Sequence, residues 1–366
     1  MTRKIQLLLL LISVTFTLSA CTISFESSSS SDSRANGGVY KSMNSGDTWT
    51  HITGIAAVSG KVLNFSNENV IALTIDPQDN TAIYAGTEAG GMMFSYDSGA
   101  SWSVARNLGK RKVQSIAVSP ADKCVIFAAS ENKIFKSVDC NRNWSEIYFD
   151  NNKTVAINSL IFDPSNANFI YAGTSRGEII ASANAGQSWT VIKRFADARR
   201  EADNTIVKVA INAHSRNIIW VATSASGIYK SEDGGLTWKS FTEEFMEINT
   251  KNANKINDIM LSPSNNKIII VATSAGMIRS FDNGDHWQLV DLIPPAAKTV
   301  INKVDVFVND EKRIYYITDT SLGWSEDSGS TWSSKKLPTS RRGVSLIVDS
   351  KDPTVIYIGV KALEKK

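Results

Sequence analysis

Five carboxylates stand in one recurring frame, S-x-D-x-G-x-x-W: Asp97, Asp139, Asp233, Asp282 and Asp327. An acid fixed beside a turn could act as a general acid, delivering a proton to a leaving oxygen as glycoside cleavage requires. The frame also recurs with Asn44 and Asn184 in the acid position, and with Asn141 in the glycine position. An amide keeps the acceptor oxygen of a carboxylate but has no titrating proton to give. A role that tolerates this exchange is hydrogen bonding inside a turn, so the frame reads as structural. Other reactive groups are few. His51, His214 and His286 are scattered without metal-ligand spacing. No glycine-rich phosphate loop or nucleophile elbow stands where it could work. The sequence therefore implies no metal and no cofactor.

The elements that hold these groups follow from the repeat. The frame occurs seven times, starting at Ser42, Ser95, Ser137, Ser182, Ser231, Ser280 and Ser325. Its tryptophans are Trp49, Trp102, Trp144, Trp189, Trp238, Trp287 and Trp332, seven of the nine in the chain. The glycines are Gly46, Gly99, Gly186, Gly235, Gly284 and Gly329. A period of 42–53 residues lies in or near the propeller-blade range. Each unit shows four short β segments, A to D, separated by turn signals, as in "VQSIAV", "CVIFAAS", "KIFKS" and "WSEIY". The B segments are apolar almost throughout, as expected of strands covered on both faces. The chain starts with C and D segments ("GGVYKS", "WTHI") and ends with A and B segments ("GVSLIVD", "TVIYIGV"). Six complete units plus these halves predict an all-β fold: a single seven-bladed β-propeller of four-stranded blades, its last blade closed by both ends of the chain.

The frame bridges strands C and D. Gly99 supplies positive φ, while Ser95 and Asp97 bond backbone groups within the loop. Trp102 opens strand D with a large apolar face. These repeats resemble the Asp-box (BNR) repeats of sialidases, sortilin-type receptors, xyloglucanase-type hydrolases and photosystem II stability/assembly factors. With its "DP…IYAGT…G…KS.DGG.TW" units, the chain is most similar to the assembly-factor group, over nearly all of its length after the N-terminal segment. The resemblance implies that the motif lies on a rim away from the ligand face. It also implies a protein-binding scaffold or assembly factor. Sialidases carry an arginine triad, a tyrosine nucleophile and an Arg-Ile-Pro-like element that is missing here. Xyloglucanase-type enzymes enclose a cleft between two propellers, and this chain shows one. No enzymatic activity is expected on these grounds; the alternative is a carbohydrate-binding or glycoside-hydrolase-like, sialidase-related surface protein.

Arg3 and Lys4 precede an apolar run from Ile5 to Leu18, too short for a spanning helix, and then "LSAC". This resembles the lipobox of bacterial lipoproteins and implies cleavage before Cys21 and its acylation. Residues 1–20 are read as signal, 21–37 as lipidated cysteine plus serine-rich tether, 38–360 as propeller and 361–366 as tail. Thr22 suits outer-membrane sorting if the host is Gram-negative. The expected place is a membrane-anchored lipoprotein of the cell envelope, facing periplasm or exterior. Without Arg3 and Lys4 the 39 basic and 36 acidic residues become 37 against 36, so no global nucleic-acid binding is expected.

In an antiparallel blade the A–B and C–D turns share one end, and the B–C and D–A connections share the other. Binding residues are expected among the second set. It carries Lys110, Arg111, Lys112, Arg176, Lys193, Arg194, Arg199, Arg200, Arg341 and Arg342, a candidate docking face for an acidic peptide, lipid headgroup or glycan. The third residues of the A segments place Lys208, Asp258 and Lys303 near the axis, where a salt-bridge cluster is expected. The partner expected is a protein or peptide at the envelope, with a glycan as the other possibility, bound by a monomer. Cys124 opens strand B and Cys140 lies in the C–D turn of the same blade. If the B–C hairpin turns near Glu131, residue 124 faces residue 138, so a Cys124–Cys140 disulfide is expected.

Overall fold

The computed structural model describes residues 36–56, 63–195, 204–248, 252–292 and 299–363. The signal segment, Cys21, most of the tether, Arg199 and Arg200 fall outside them. Among the described residues no helix is long and apolar enough to cross a membrane.

Seven four-stranded antiparallel sheets follow one another along the chain. Their inner A strands are Val70–Ile75, Ser115–Val118, Ile157–Asp163, Ile206–Asn212, Ile256–Leu261, Lys303–Val306 and Arg342–Val348. Each A strand contacts the A strand of the next blade, and the last contacts the first, which closes the ring. The seventh sheet runs Thr50–His51, Gly38–Ser42, Ile356–Lys361, Arg342–Val348, with Gly38 opposite Val360 and Ser42 opposite Ile356. The seven-bladed, four-stranded architecture expected from the repeat is thus observed, including the blade assembled from both ends.

The core is divided into seven seams. Each apolar cluster lies between two adjacent blades rather than inside one. Between the first and second blades, Tyr84 and Met92 meet Ile116, Ile126 and Phe135. Strand B sits in the middle of every sheet and is covered on both faces. Ile83–Thr87 and Ile269–Thr273 are accordingly buried at every residue. Close seam packing explains Gly173, where an added Cβ would collide with Ile206 of the next blade.

The octapeptide makes the same hydrogen bonds in all seven copies. In the first blade Ser95 Oγ donates to Asp97 Oδ1 at 2.7 Å and accepts the Gly99 N–H at 2.8 Å. Asp97 Oδ1 also accepts the Ser101 N–H at 2.8 Å. The asparagine copy reproduces the set: Ser42 Oγ to Asn44 Oδ1 is 3.0 Å, Gly46 N to Ser42 Oγ 2.8 Å, and Thr48 N to Asn44 Oδ1 2.9 Å. The chain turns through two successive left-handed residues, Ser98 (φ 58°) and Gly99 (φ 86°). In the second blade these are Cys140 (φ 56°) and Asn141 (φ 69°), and asparagine tolerates this region better than most side chains. That blade carries the Cys124–Cys140 disulfide, and the Cys140 N–H also donates to the Cys124 carbonyl at 3.2 Å.

Four copies also tie their blade to the next. Lys41, Lys136, Lys230 and Arg279 each precede the motif serine and donate to the carbonyl of the fourth motif residue one blade on. Lys41 reaches Ser98 at 3.2 Å, Lys136 reaches Ala185 at 2.9 Å and Lys230 reaches Asn283 at 2.9 Å; Arg279 reaches Ser328 in the same way. The cross-strand neighbours Tyr357, Phe127 and Trp220 carry the three ammonium groups 5.3, 5.4 and 5.3 Å from their ring centroids.

Candidate functional site

The motif turns lie against the A–B turns, as shown by Ser98 N to Thr81 O and Ser328 N to Lys312 O, both 2.9 Å. At the other end, B–C hairpins pair with D–A connections: Gly91 N to Arg111 O and Gly227 N to Asn254 O are both 3.0 Å. The motif carboxylates point at their own turns. Asp233 and Asp327 are held down to about 2, first by the hydroxyls of Thr237 and Thr331 and then by those residues' N–H groups. A carboxyl that titrates there carries no proton at neutral pH, so none of these groups is a general acid.

On the loop face the expected cations are used unequally. Lys110 and Lys112 are exposed. Arg111 lies 4.4 Å over the Phe135 ring, and the Lys193 ammonium 5.4 Å from the Phe195 centroid. Arg176 binds Asp150 at 2.9 Å and Glu178 at 2.5 Å, while Arg194 Nε donates to Glu178 at 2.6 Å. Burial pushes the Glu178 carboxyl up, but the two guanidinium partners outweigh it and hold the group below its ordinary range. Arg341 is buried and donates to Asn69 Oδ1 at 2.7 Å; Arg342 Nε lies 3.2 Å from Asp319. Burial lowers the pKa of Arg341. Arg176, Arg194, Arg341 and Arg342 thus brace the connections in ion pairs and hydrogen bonds.

Two features of this face were missed from the sequence. Asn69 Nδ2 donates to Glu88 at 2.6 Å, and Lys361 pairs with Glu88 at 3.0 Å, joining the seventh blade to the first. A second feature is an open cavity of about 430 Å³ lined by Tyr148, Phe149, Asp150, Asn151, Asn152 and Arg176. Phe149 is 57% exposed there, beside a row of amide and carboxylate groups. No spacing rule marks either feature, because each depends on which connections meet once the sheets are paired.

Lys208, Asp258 and Lys303 lie in the central channel rather than on the loop face. All seven A strands line this cavity of about 400 Å³. Asp258 takes Lys208 at 2.9 Å and Lys303 at 3.6 Å, which is the cluster expected from the repeat. Asp305, unforeseen, accepts Val306 N at 2.9 Å and Val348 N at 2.8 Å. Burial at the axis pushes its carboxyl up to about 6, against those hydrogen bonds.

Fold and site together define a seven-bladed β-propeller with a connection-rich face and a polar channel. No family model matches the chain. In sequence it is 27% identical over 205 residues to a xyloglucanase of Hypocrea jecorina, covering 43% of this chain and 23% of that one. It is 25% identical over 246 residues to a xyloglucanase of Paenibacillus sp, covering 57% and 24%. The chain therefore spans about a quarter of the length of these curated relatives, 23% and 24%. Among solved structures, the Niastella koreensis GH74 enzyme matches with a TM-score of 0.65 at 19% identity, covering 84% of this chain and 53% of that chain. YCF48 from Cyanidioschyzon merolae matches with 0.61 at 15% identity, covering 80% and 95%. YCF48 bound to D1 peptide matches with 0.59 at 12%, covering 80% and 94%. At these identities the structural likeness shows the fold alone.

One expectation is corrected by these relatives. Enzymatic activity had been set aside because a sialidase element and a second propeller were lacking. Both curated relatives are glycoside hydrolases, and neither matches a sialidase description. The sialidase elements were thus the wrong test.

Proposed function

We propose that this propeller sits at the cell envelope, anchored through Cys21, and holds an extended segment of a partner protein across its loop face. The observation that carries this reading is coverage in the structural matches. The chain spans 95% and 94% of the two YCF48 structures, one of them bound to a peptide, against 51% and 53% of the Xanthomonas campestris and Niastella koreensis GH74 structures. Lys110 and Lys112 give the face exposed cations for an acidic segment, and Phe149 gives it an apolar foothold. The braced Arg176–Glu178–Arg194 cluster keeps the surrounding connections in place without ordering on binding. The sequence relatives favour a second reading, recognition or cleavage of a xyloglucan-type glucan, for which Phe149 and the neighbouring amides would supply a sugar platform.

One experiment separates the two. The purified chain is crosslinked in envelopes from its host, and in parallel is assayed for binding and hydrolysis of xyloglucan. The peptide reading expects a discrete crosslinked protein that is lost on Lys110→Glu/Lys112→Glu. Glucan retention abolished by Phe149→Ala, with or without cleavage and with no protein crosslink, would replace it with the second reading.

A further inference from the structure

The channel has a sided chemistry that neither reading uses. Its charged wall comes from three consecutive blades through Lys208, Asp258, Lys303 and Asp305. The facing wall contributes small neutral groups, Ala72, Ser115, Ser159 and Ser345. Ser115 Oγ accepts Leu160 N at 2.9 Å and Ser159 Oγ accepts Val209 N at 3.0 Å, which leaves each hydroxyl proton to donate. Each lysine has three N–H donors, and each ammonium is ion-paired with Asp258, Lys208 at 2.9 Å and Lys303 at 3.6 Å. Their side chains remain 32% and 30% accessible, so the remaining donors can reach a molecule in the cavity. The two carboxylates already face cations or backbone donors. Asp258 holds both lysines and the Val304 N–H at 3.3 Å, and Asp305 takes two backbone N–H groups. The cavity thus has a surplus of donors and a size within the range of small-ligand sites.

We propose that the channel is a binding site for one small oxyanion, a carboxylate or a sulfate- or phosphate-like group, held by the Lys208 and Lys303 ammonium groups and the Ser115 and Ser159 hydroxyls. The charge balance sets its pH dependence. The titratable groups lining the cavity are Lys208, Lys303, Asp258 and Asp305. With both aspartates ionised the four charges cancel. Once Asp305 takes a proton, two ammonium groups face one carboxylate, and an anion gains attraction in a site shielded from bulk water. The oxyanion binds more tightly as pH falls through the titration of Asp305. It is bound independently of what the loop face holds.

The test is titration calorimetry of the full chain with sodium sulfate and with sodium acetate, at constant ionic strength set by chloride, at pH 5.5 and 7.5. Saturable binding at a stoichiometry near one is expected, about three- to tenfold tighter at the lower pH. Lys303→Met leaves Asp258 its closer partner Lys208, so the fold persists while affinity falls about tenfold or more. A melting curve of the variant checks that persistence. Lys208→Gln supplies a second variant with the same expected loss. Absence of saturable heat above the chloride control would overturn the proposal. So would binding that survives both lysine substitutions, since the anion would then sit elsewhere.

Discussion

Asp233 and Asp327 show how one carboxylate type takes different roles by surroundings. Each faces solvent, yet hydroxyl and amide donors hold its pKa at about 2, below the ordinary 3.8. Their stabilising effect is therefore complete above pH 4 and is lost as pH falls through 2. Asp305 has the opposite sign. Raised to about 6 by burial, it favours the folded state below pH 4, and that advantage fades as pH rises through 6. The carboxyl carbon resonances should report both: midpoints near 2 for Asp233 and Asp327, and near 6 for Asp305. Asp327→Asn should remove its share of the acid transition while keeping the turn, because Asn44 and Asn184 already make the same bonds. Acid unfolding that is unchanged in midpoint in this variant would show that the carboxylate contributes nothing there.

At the scale of elements, the blade holding Asn141 is the one with a covalent closure. Cys124 and Cys140 enclose a loop of sequence separation 16, for which loop entropy predicts about 3 kcal/mol. The Cys124→Ser/Cys140→Ser pair should lower the free energy of unfolding by about that amount. Guanidinium titration of the oxidised parent and the variant measures it. This pairing was legible because two periods had to agree: the B–C hairpin and the motif that follows it. The blades themselves were legible for the same reason, since seven tryptophans in register leave little freedom in where strand D begins. The loop-face cluster around Glu178 was not. Asp150 and Arg176 come from different connections and Glu178 and Arg194 from the ends of two strands, and only the paired sheets bring them together. Asp305 escaped for a related reason. It lies two residues beyond the Lys303 position, and its burial follows from closure of the ring rather than from the pattern of its own strand.

The molecule as a whole is a circle of seven seams joined by repeated cross-blade contacts. The basic residue before the motif serine makes such a contact at four of them. Lys136→Met should lower stability by about 1 kcal/mol by removing the bond to Ala185 and the position over Phe127. The third blade has Ala181 at this place, yet Tyr171 stands opposite it on strand B, where the other blades carry Phe127, Trp220 and Tyr357. Ala181→Lys should therefore add the missing contact to the fourth blade and raise stability by about 0.5–1 kcal/mol. Thermal melts of the two variants give opposite shifts if the contacts act as described. Equal behaviour of both would remove the lysines from the account of ring stability. The row of contacts is also a map of resistance to force. Like a chain with three open links, the ring lacks this tie at the seams where Phe94, Ala181 or Trp324 precedes the motif serine. A pull on the ring, or an insertion that must pry two blades apart, would have one fewer bond to break at each of those three seams than at the other four.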